Sequence, residues 1–247
     1  MGRAFEARKA SKFARWNKMA KEFTKAGRQI SMAVKSGGPD PDTNIILRRA
    51  IQNAKSVQMP KDRIEAAIKK ASDKDTSNFE EVVYEGMAPH GVAIVIETAT
   101  DNPTRTVANV RSYFKKKNGS LGQQGMHDFI FNRMGVFNIK PENIEDLEMF
   151  ELEFIDHGLE KIEKSTIEEE GQEEKQEIIQ VYVPFESFGK MQDGLEAAKI
   201  EVEKSELERI PTVLKEIEDG DLLDEVLALI DLMEQDDDVT NVFHNLA

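Results

Sequence analysis

The sequence predicts an α+β protein: an N-terminal three-helix domain followed by two ferredoxin-like α+β domains, the last inserted into the middle one. Three observations lead there. Helical periodicity runs in three stretches from about Asn17 to Ala71; the pattern switches at Phe79 to strand-like runs; and a βαββαβ succession between residues 136 and 203 is followed by helix and strand signals that the middle domain still lacks.

In the first segment, from about Asn17, Met19, Phe23, Ala26, Ile30, Ala33 and Val34 recur at steps of four, three, four, three and one, a single helical stripe. Gly37-Gly38-Pro39 stops it. Pro41 sits at a favoured first-turn position of a second helix carrying Leu47, Ala50, Ile51 and Ala54 on one face. Pro60, with Asp62 in the first turn, opens a third helix with Ile64, Ala67, Ile68 and Ala71. Three short amphipathic helices with small core residues make a compact helical domain, ending in a polar linker at 72–78.

Residues 81–85 and 92–96 then read as two strands, 104–117 as a helix with Val107, Val110, Tyr113 and Phe114 on one face, 118–125 as a mobile glycine loop, and 129–131 as a strand. A second cycle follows, with a strand at 136–139, a helix at 144–157, an acidic hairpin pairing 159–171 with 177–183, a helix at 185–198 and a strand at 199–203. The tail supplies a strand at 212–217, a helix at 221–233 and a strand at 239–243, which return to complete the middle domain. The expected domains are therefore 1–78, 79–134 plus 210–247, and 135–209.

A chain of 247 residues that is 39% apolar and 32% charged belongs to the soluble globular class. Its longest apolar runs, such as 92–96, fall far short of the ~20 residues that a membrane-spanning helix needs, so no membrane partner is expected. With no cysteine, disulfides, thiolate metal ligands and a cysteine nucleophile are excluded, which fits a reducing, cytoplasmic setting. The basic start is read as part of the fold and not as a transit peptide, because Lys outnumbers Arg and the helical pattern continues unbroken.

Charge is split along the chain. Residues 1–78 carry 18 Lys+Arg against 8 Asp+Glu, whereas residues 79–247 carry 15 against 39, so the two parts stand at +10 and −24 within a net −14. Concentration of positive charge at one end of an acidic protein points to a polyanionic partner. Arg3, Arg8, Lys9, Lys12, Arg15, Lys18, Lys21, Lys25 and Arg28 recur at helical spacing, and long cationic side chains there would neutralise backbone phosphates without choosing a sequence. Arg48, Arg49, Lys55, Lys61, Arg63, Lys69 and Lys70 extend the patch if their helices face the same way. The competing reading is a solvated helix face. Trp16, with Phe13, sits among these charges, where it either stacks on bases or anchors its helix to the core.

The segment Asp101-Asn102-Pro103-Thr104-Arg105-Thr106 lies between a strand and a helix, where free N–H groups and Arg105 would hold an anion; the same residues are good helix caps. The acidic runs Glu168-Glu169-Glu170 and Asp236-Asp237-Asp238 read as solvated turns. The four histidines, His90, His127, His157 and His244, are scattered, and no nucleophile elbow or metal-binding pair accompanies them, so neither an enzyme nor a cofactor or metal is expected.

Several motifs are similar to those of the YebC/PmpR family: the start Met1-Gly2-Arg3-Ala4-Phe5-Glu6, Gly37-Gly38-Pro39-Asp40-Pro41, Met59-Pro60-Lys61-Asp62, Tyr84-Glu85-Gly86, Asp101-Asn102-Pro103-Thr104-Arg105-Thr106, and Asp237-Asp238-Val239 through His244-Asn245. The resemblance runs over essentially the whole chain. It implies three domains and a non-enzymatic, cytosolic role in gene expression, with DNA as partner of a transcriptional regulator. The alternative is a ribosome-associated translation factor that binds ribosomal RNA, as the mitochondrial translational activator of cytochrome c oxidase suggests. A protein partner docking on the acidic domains is a further expectation.

Overall fold

The computed structural model describes the backbone over residues 3–73, 79–167 and 176–247, and within these stretches the side chains from residue 19 onward, Ile167 excepted. Most of the expected linker and the acidic run at 168–170 lie outside the described residues. The described residues fold into two compact units, one formed by Met1–Ser72 with Met134–Leu207 and the other by Asp73–Arg133 with Glu208–Ala247. No helix among them is long and apolar enough to cross a membrane.

The first unit opens with α1 (Arg3–Gly37), a helix of 35 residues rather than a short one. Nothing from Arg3 to Lys25 breaks it, since Gly and Pro are absent there. Gly38 ends it at φ 88°, donating its N–H to the Val34 carbonyl at 2.8 Å, the left-handed stop that glycine tolerates. α2 (Ile45–Ser56) starts four residues after Pro41, because Asn44 is its cap: Oδ1 accepts from the Leu47 N–H at 3.0 Å. The same buried amide donates to the carbonyls of Ala33 (2.7 Å) and Gly38 (2.8 Å), which ties the end of α1 to the start of α2. α3 (Lys61–Ser72) follows, and Ala26, Ile30, Ala33, Leu47, Ala50, Ala54 and Ile64 close a core of small and branched side chains among the three helices.

The inserted sheet of this unit is β4 (Phe131–Ile139), β5 (Lys161–Ile167), β6 (Gln176–Pro184) and β7 (Val202–Pro211), in the order β5-β6-β4-β7. With α5 (Leu147–Phe154) and α6 (Phe188–Ala197) between strands this is the βαββαβ unit expected. Phe137, Ile139, Val181 and Val183 of the sheet pack against Phe150, Phe154, Met191 and Leu195 of the helices. Of the separate strands expected at 129–131 and 136–139, the first is mostly turn, at residues 129 and 130, and the second lies within the single strand β4, which begins at Phe131. Gly135 in its middle is no turn but a close approach, for a Cβ there would lie 2.5 Å from the Phe188 ring.

The second unit carries β1 (Glu80–Met87), β2 (Ala93–Thr100), β3 (Ser120–Leu121) and β8 (Val239–His244), in the order β3-β1-β2-β8 and antiparallel throughout. α4 (Pro103–Lys116) and α7 (Gly220–Glu234) cover one face, burying Val110, Phe114, Val226, Leu229 and Met233 against Ile94 and Ile96. The tail returns as expected with α7 and β8. No strand forms at 212–217, because β7 has taken up the preceding length and Thr212 instead donates its N–H to the Ile130 carbonyl at 2.8 Å.

Two loops expected to be loose are tied down. The buried Glu85 carboxylate accepts from the N–H groups of Gly125 and His127, each at 2.8 Å, and its carbonyl accepts from Gly122, so the glycine loop is clamped to β1. Asp238, in the run read as a solvated turn, is 3% exposed and accepts from the hydroxyls of Thr106 (2.8 Å) and Thr100 (3.3 Å).

Candidate nucleic-acid interface

The basic residues expected to form the patch in the first segment fall on three helices. Arg3, Arg8, Lys9, Lys12, Arg15, Trp16 and Lys18 lie on the backbone of α1, and their side chains are outside the described residues, as is Phe13. Lys21, Lys25 and Arg28 continue the series on the same helix and are half-buried. The apolar positions Ala26, Ile30, Ala33 and Val34 take the inward stripe, so Lys21, Lys25 and Arg28 hold the flanks and the outer side.

α3 adjoins α1 and adds to this surface. The Arg63 guanidinium lies 5.6 Å from the centre of the Phe23 ring, which places it against α1 between Lys21 and Lys25 in height. Lys70, seven residues on, shares the helix face of Arg63, and Lys69 is exposed beside it. Lys61 is exposed at the start of α3, 3.6 Å from Glu65.

α2 faces elsewhere. Arg48 Nη1 donates to the carbonyls of Pro41 (3.3 Å) and Asp42 (3.1 Å), and Nε stands 3.5 Å from Glu196 of α6. The Arg49 guanidinium sits over the Phe188 ring of α6 at 5.2 Å. Next along the helix, the Asn53 amide donates to the Ser205 carbonyl at 2.8 Å and accepts from the Ser205 N–H at 3.1 Å, and Gln52 donates to the Val202 carbonyl. β7 is an edge strand, and these two side-chain amides occupy backbone groups that would otherwise be open. Arg48 and Arg49 are thus docking residues between α2 and α6, while Lys55, in the last turn of α2, is exposed.

Arg105 belongs to the other unit. Its Nη2 lies 2.8 Å from Asp238 Oδ2 and 3.0 Å from Asp101 Oδ1, and the hydrogen bond and charge of Asp238 raise its pKa further above the ordinary value. The anion at this helix start is therefore the protein's own carboxylate, with Asn102 Oδ1 capping α4 by accepting from the Arg105 N–H at 3.1 Å. Tyr113 and Asn109 extend the tie, donating to Asp236 at 2.7 and 3.1 Å. The pairing of Arg105 and Thr106 with Asp238 joins positions over 130 residues apart, which periodicity cannot register; the only sequence signal is that both segments are among the motifs that carry the family resemblance.

Comparison with known proteins agrees with this architecture over the full chain. A family model described as the TACO1/YebC protein N-terminal domain matches residues 3–74, and one described as the TACO1/YebC second and third domain matches residues 79–246. A protein of Anaeromyxobacter dehalogenans named "Probable transcriptional regulatory protein" is 52% identical over 247 residues, covering 100% of both chains. A Flavobacterium johnsoniae protein of the same name is 51% identical over 246 residues, covering 100% of this chain and 99% of its own. Among solved structures, a conserved hypothetical protein from Aquifex aeolicus superposes with a TM-score of 0.74 at 34% identity, covering 92% of this chain and 90% of that one.

Proposed function

Because the chain belongs to the TACO1/YebC family, we propose that it is a non-enzymatic regulator of gene expression that grips nucleic-acid phosphates through its basic N-terminal helices. The observation that carries this reading is the charge split: 18 Lys+Arg against 8 Asp+Glu in residues 1–78 of a chain whose net charge is −14. The long helix α1 sets out ten of those cations along about 50 Å at ~1.5 Å per residue, enough to follow several phosphates of a duplex or a folded RNA. In this proposal Arg3, Arg8, Lys9, Lys12, Arg15, Lys18, Lys21, Lys25 and Arg28 of α1, with Lys61, Arg63 and Lys70 of α3, form the contact surface. The division into 1–78, 79–134 plus 210–247, and 135–209 is the functional one, the first domain binding and the acidic α+β domains positioning it or meeting protein.

DNA is the leading target, since relatives about half identical are named transcriptional regulatory proteins. Phosphate contact does not itself distinguish DNA from ribosomal RNA. Binding to duplex DNA should weaken steeply with salt, and the triple reversal Arg15→Glu, Lys18→Glu, Lys25→Glu should abolish it; salt-independent binding sinks the mechanism. Sedimentation of cell extract through a density gradient separates the targets. Comigration with ribosomes assigns the protein to translation, and its absence together with tight duplex binding at near-physiological salt assigns it to transcription.

A further inference from the structure

Within the inserted sheet's own unit, α5 is anchored firmly on its inner side. Phe150 and Phe154 turn into the core with their rings stacked at 4.4 Å, and Asp146 Oδ1 caps the helix by accepting from the N–H groups of Glu148 (2.9 Å) and Met149 (3.2 Å). Its outer side is apolar where solvent would favour polar residues. Met149, Leu152 and Ile155 are 61%, 67% and 58% exposed and follow one another at steps of three, so they form one oblique line along α5 and onto the helical-conformation cap residue that follows it. Glu148, Glu151 and Glu153 stand exposed around that line. Residues 141–160 contain eight Asp+Glu and no Lys or Arg.

An apolar line inside a one-sign acidic rim marks a binding surface with a definite chemistry. The rim repels nucleic-acid phosphates and anionic lipid, which separates this face from the basic helices. It favours a ligand that brings positive charge together with apolar side chains. We propose that this face of α5 docks a basic amphipathic segment of a partner protein, one that lays apolar residues at helical spacing over Met149, Leu152 and Ile155 and sets Lys or Arg against Glu148, Glu151 and Glu153. Three side chains make a small contact, in the weak and transient class.

The full chain is titrated with a helical peptide of about 14 residues bearing Leu at i, i+3, i+4 and i+7 and Lys elsewhere, and with a peptide of identical composition scrambled to break the Leu face. The patterned peptide is expected to bind at least about tenfold tighter than the scrambled one. The double substitution Met149→Ser, Leu152→Ser should erase that difference, and the reversal Glu148→Lys, Glu151→Lys should remove binding of both peptides at this face. Because all four positions are exposed, the thermal midpoint should hold, and it is recorded for each variant. Equal binding of the two peptides, or an unchanged preference in either variant, overturns the proposal in favour of diffuse attraction to an acidic protein. A wild-type dimer in sedimentation equilibrium that becomes monomeric in Met149→Ser, Leu152→Ser also overturns it, by assigning the face to a second copy.

Discussion

Asp238 is held by interactions that no single stretch of chain contains. Its carboxylate is buried, receives two hydroxyls, and meets a guanidinium that is itself half-exposed. Asp238→Ala removes the buried carboxylate shared by the Thr100 and Thr106 hydroxyls and the Arg105 guanidinium and is expected to cost about 2 kcal/mol in urea unfolding, whereas Asp101→Ala, at an exposed pair, should cost less than about 1 kcal/mol. His244 offers a second test. Burial lowers its pKa from the ordinary 6.5, opposed in part by Glu234, and its Nδ1 is buried without a hydrogen-bond partner among the described residues. The folded protein therefore takes up this proton at lower pH than the unfolded chain, so its contribution to stability is present above the unfolded pKa and is lost as pH falls below it. Unfolding free energy measured from about pH 7 to about pH 5.5 should fall more steeply in the wild type than in His244→Gln.

At the scale of elements, the join between α2 and β7 carries more than either element alone. Asn53 imitates a neighbouring strand by exchanging both a donated and an accepted hydrogen bond with Ser205, and it does so at the open edge of a four-stranded sheet. Asn53→Ala should leave the Ser205 N–H and carbonyl unpaired at a cost of about 1–3 kcal/mol. Amide hydrogen exchange would locate the effect: protection at Ser205 should drop by at least about tenfold while that of β6, in the sheet interior, stays. If Ser205 keeps its protection, the edge is held by packing of α2 and not by the amide.

For the whole molecule the question is which cations are available to a polyanion. Arg48 and Arg49 are turned onto α6, so Arg48→Ala should destabilise the first unit yet leave the slope of log affinity against log salt unchanged. Lys25→Ala should reduce the magnitude of that slope by about 0.9, the value for one lost phosphate contact on duplex DNA. Binding isotherms at four salt concentrations decide between them. A slope altered equally by both changes would return α2 to the binding surface.

Local pattern determined a great deal here. Apolar spacing located all seven helices of the described residues to within a turn or two except the start of α1, and the order of strands and helices in 136–203 already defined the ferredoxin-like unit. Charge counted along the chain picked out the basic segment without any coordinates. Those readings succeed because periodicity and charge density are properties of neighbours in sequence. Tertiary structure alone decided that Arg105 faces Asp238, that Glu85 clamps the glycine loop, that Arg48 and Arg49 contact α6, and that a second helix caps a strand edge 150 residues away. Each of those is set by the direction in which an element turns once its apolar face is buried, and a polar side chain so placed takes whichever partner the fold brings within about 3 Å.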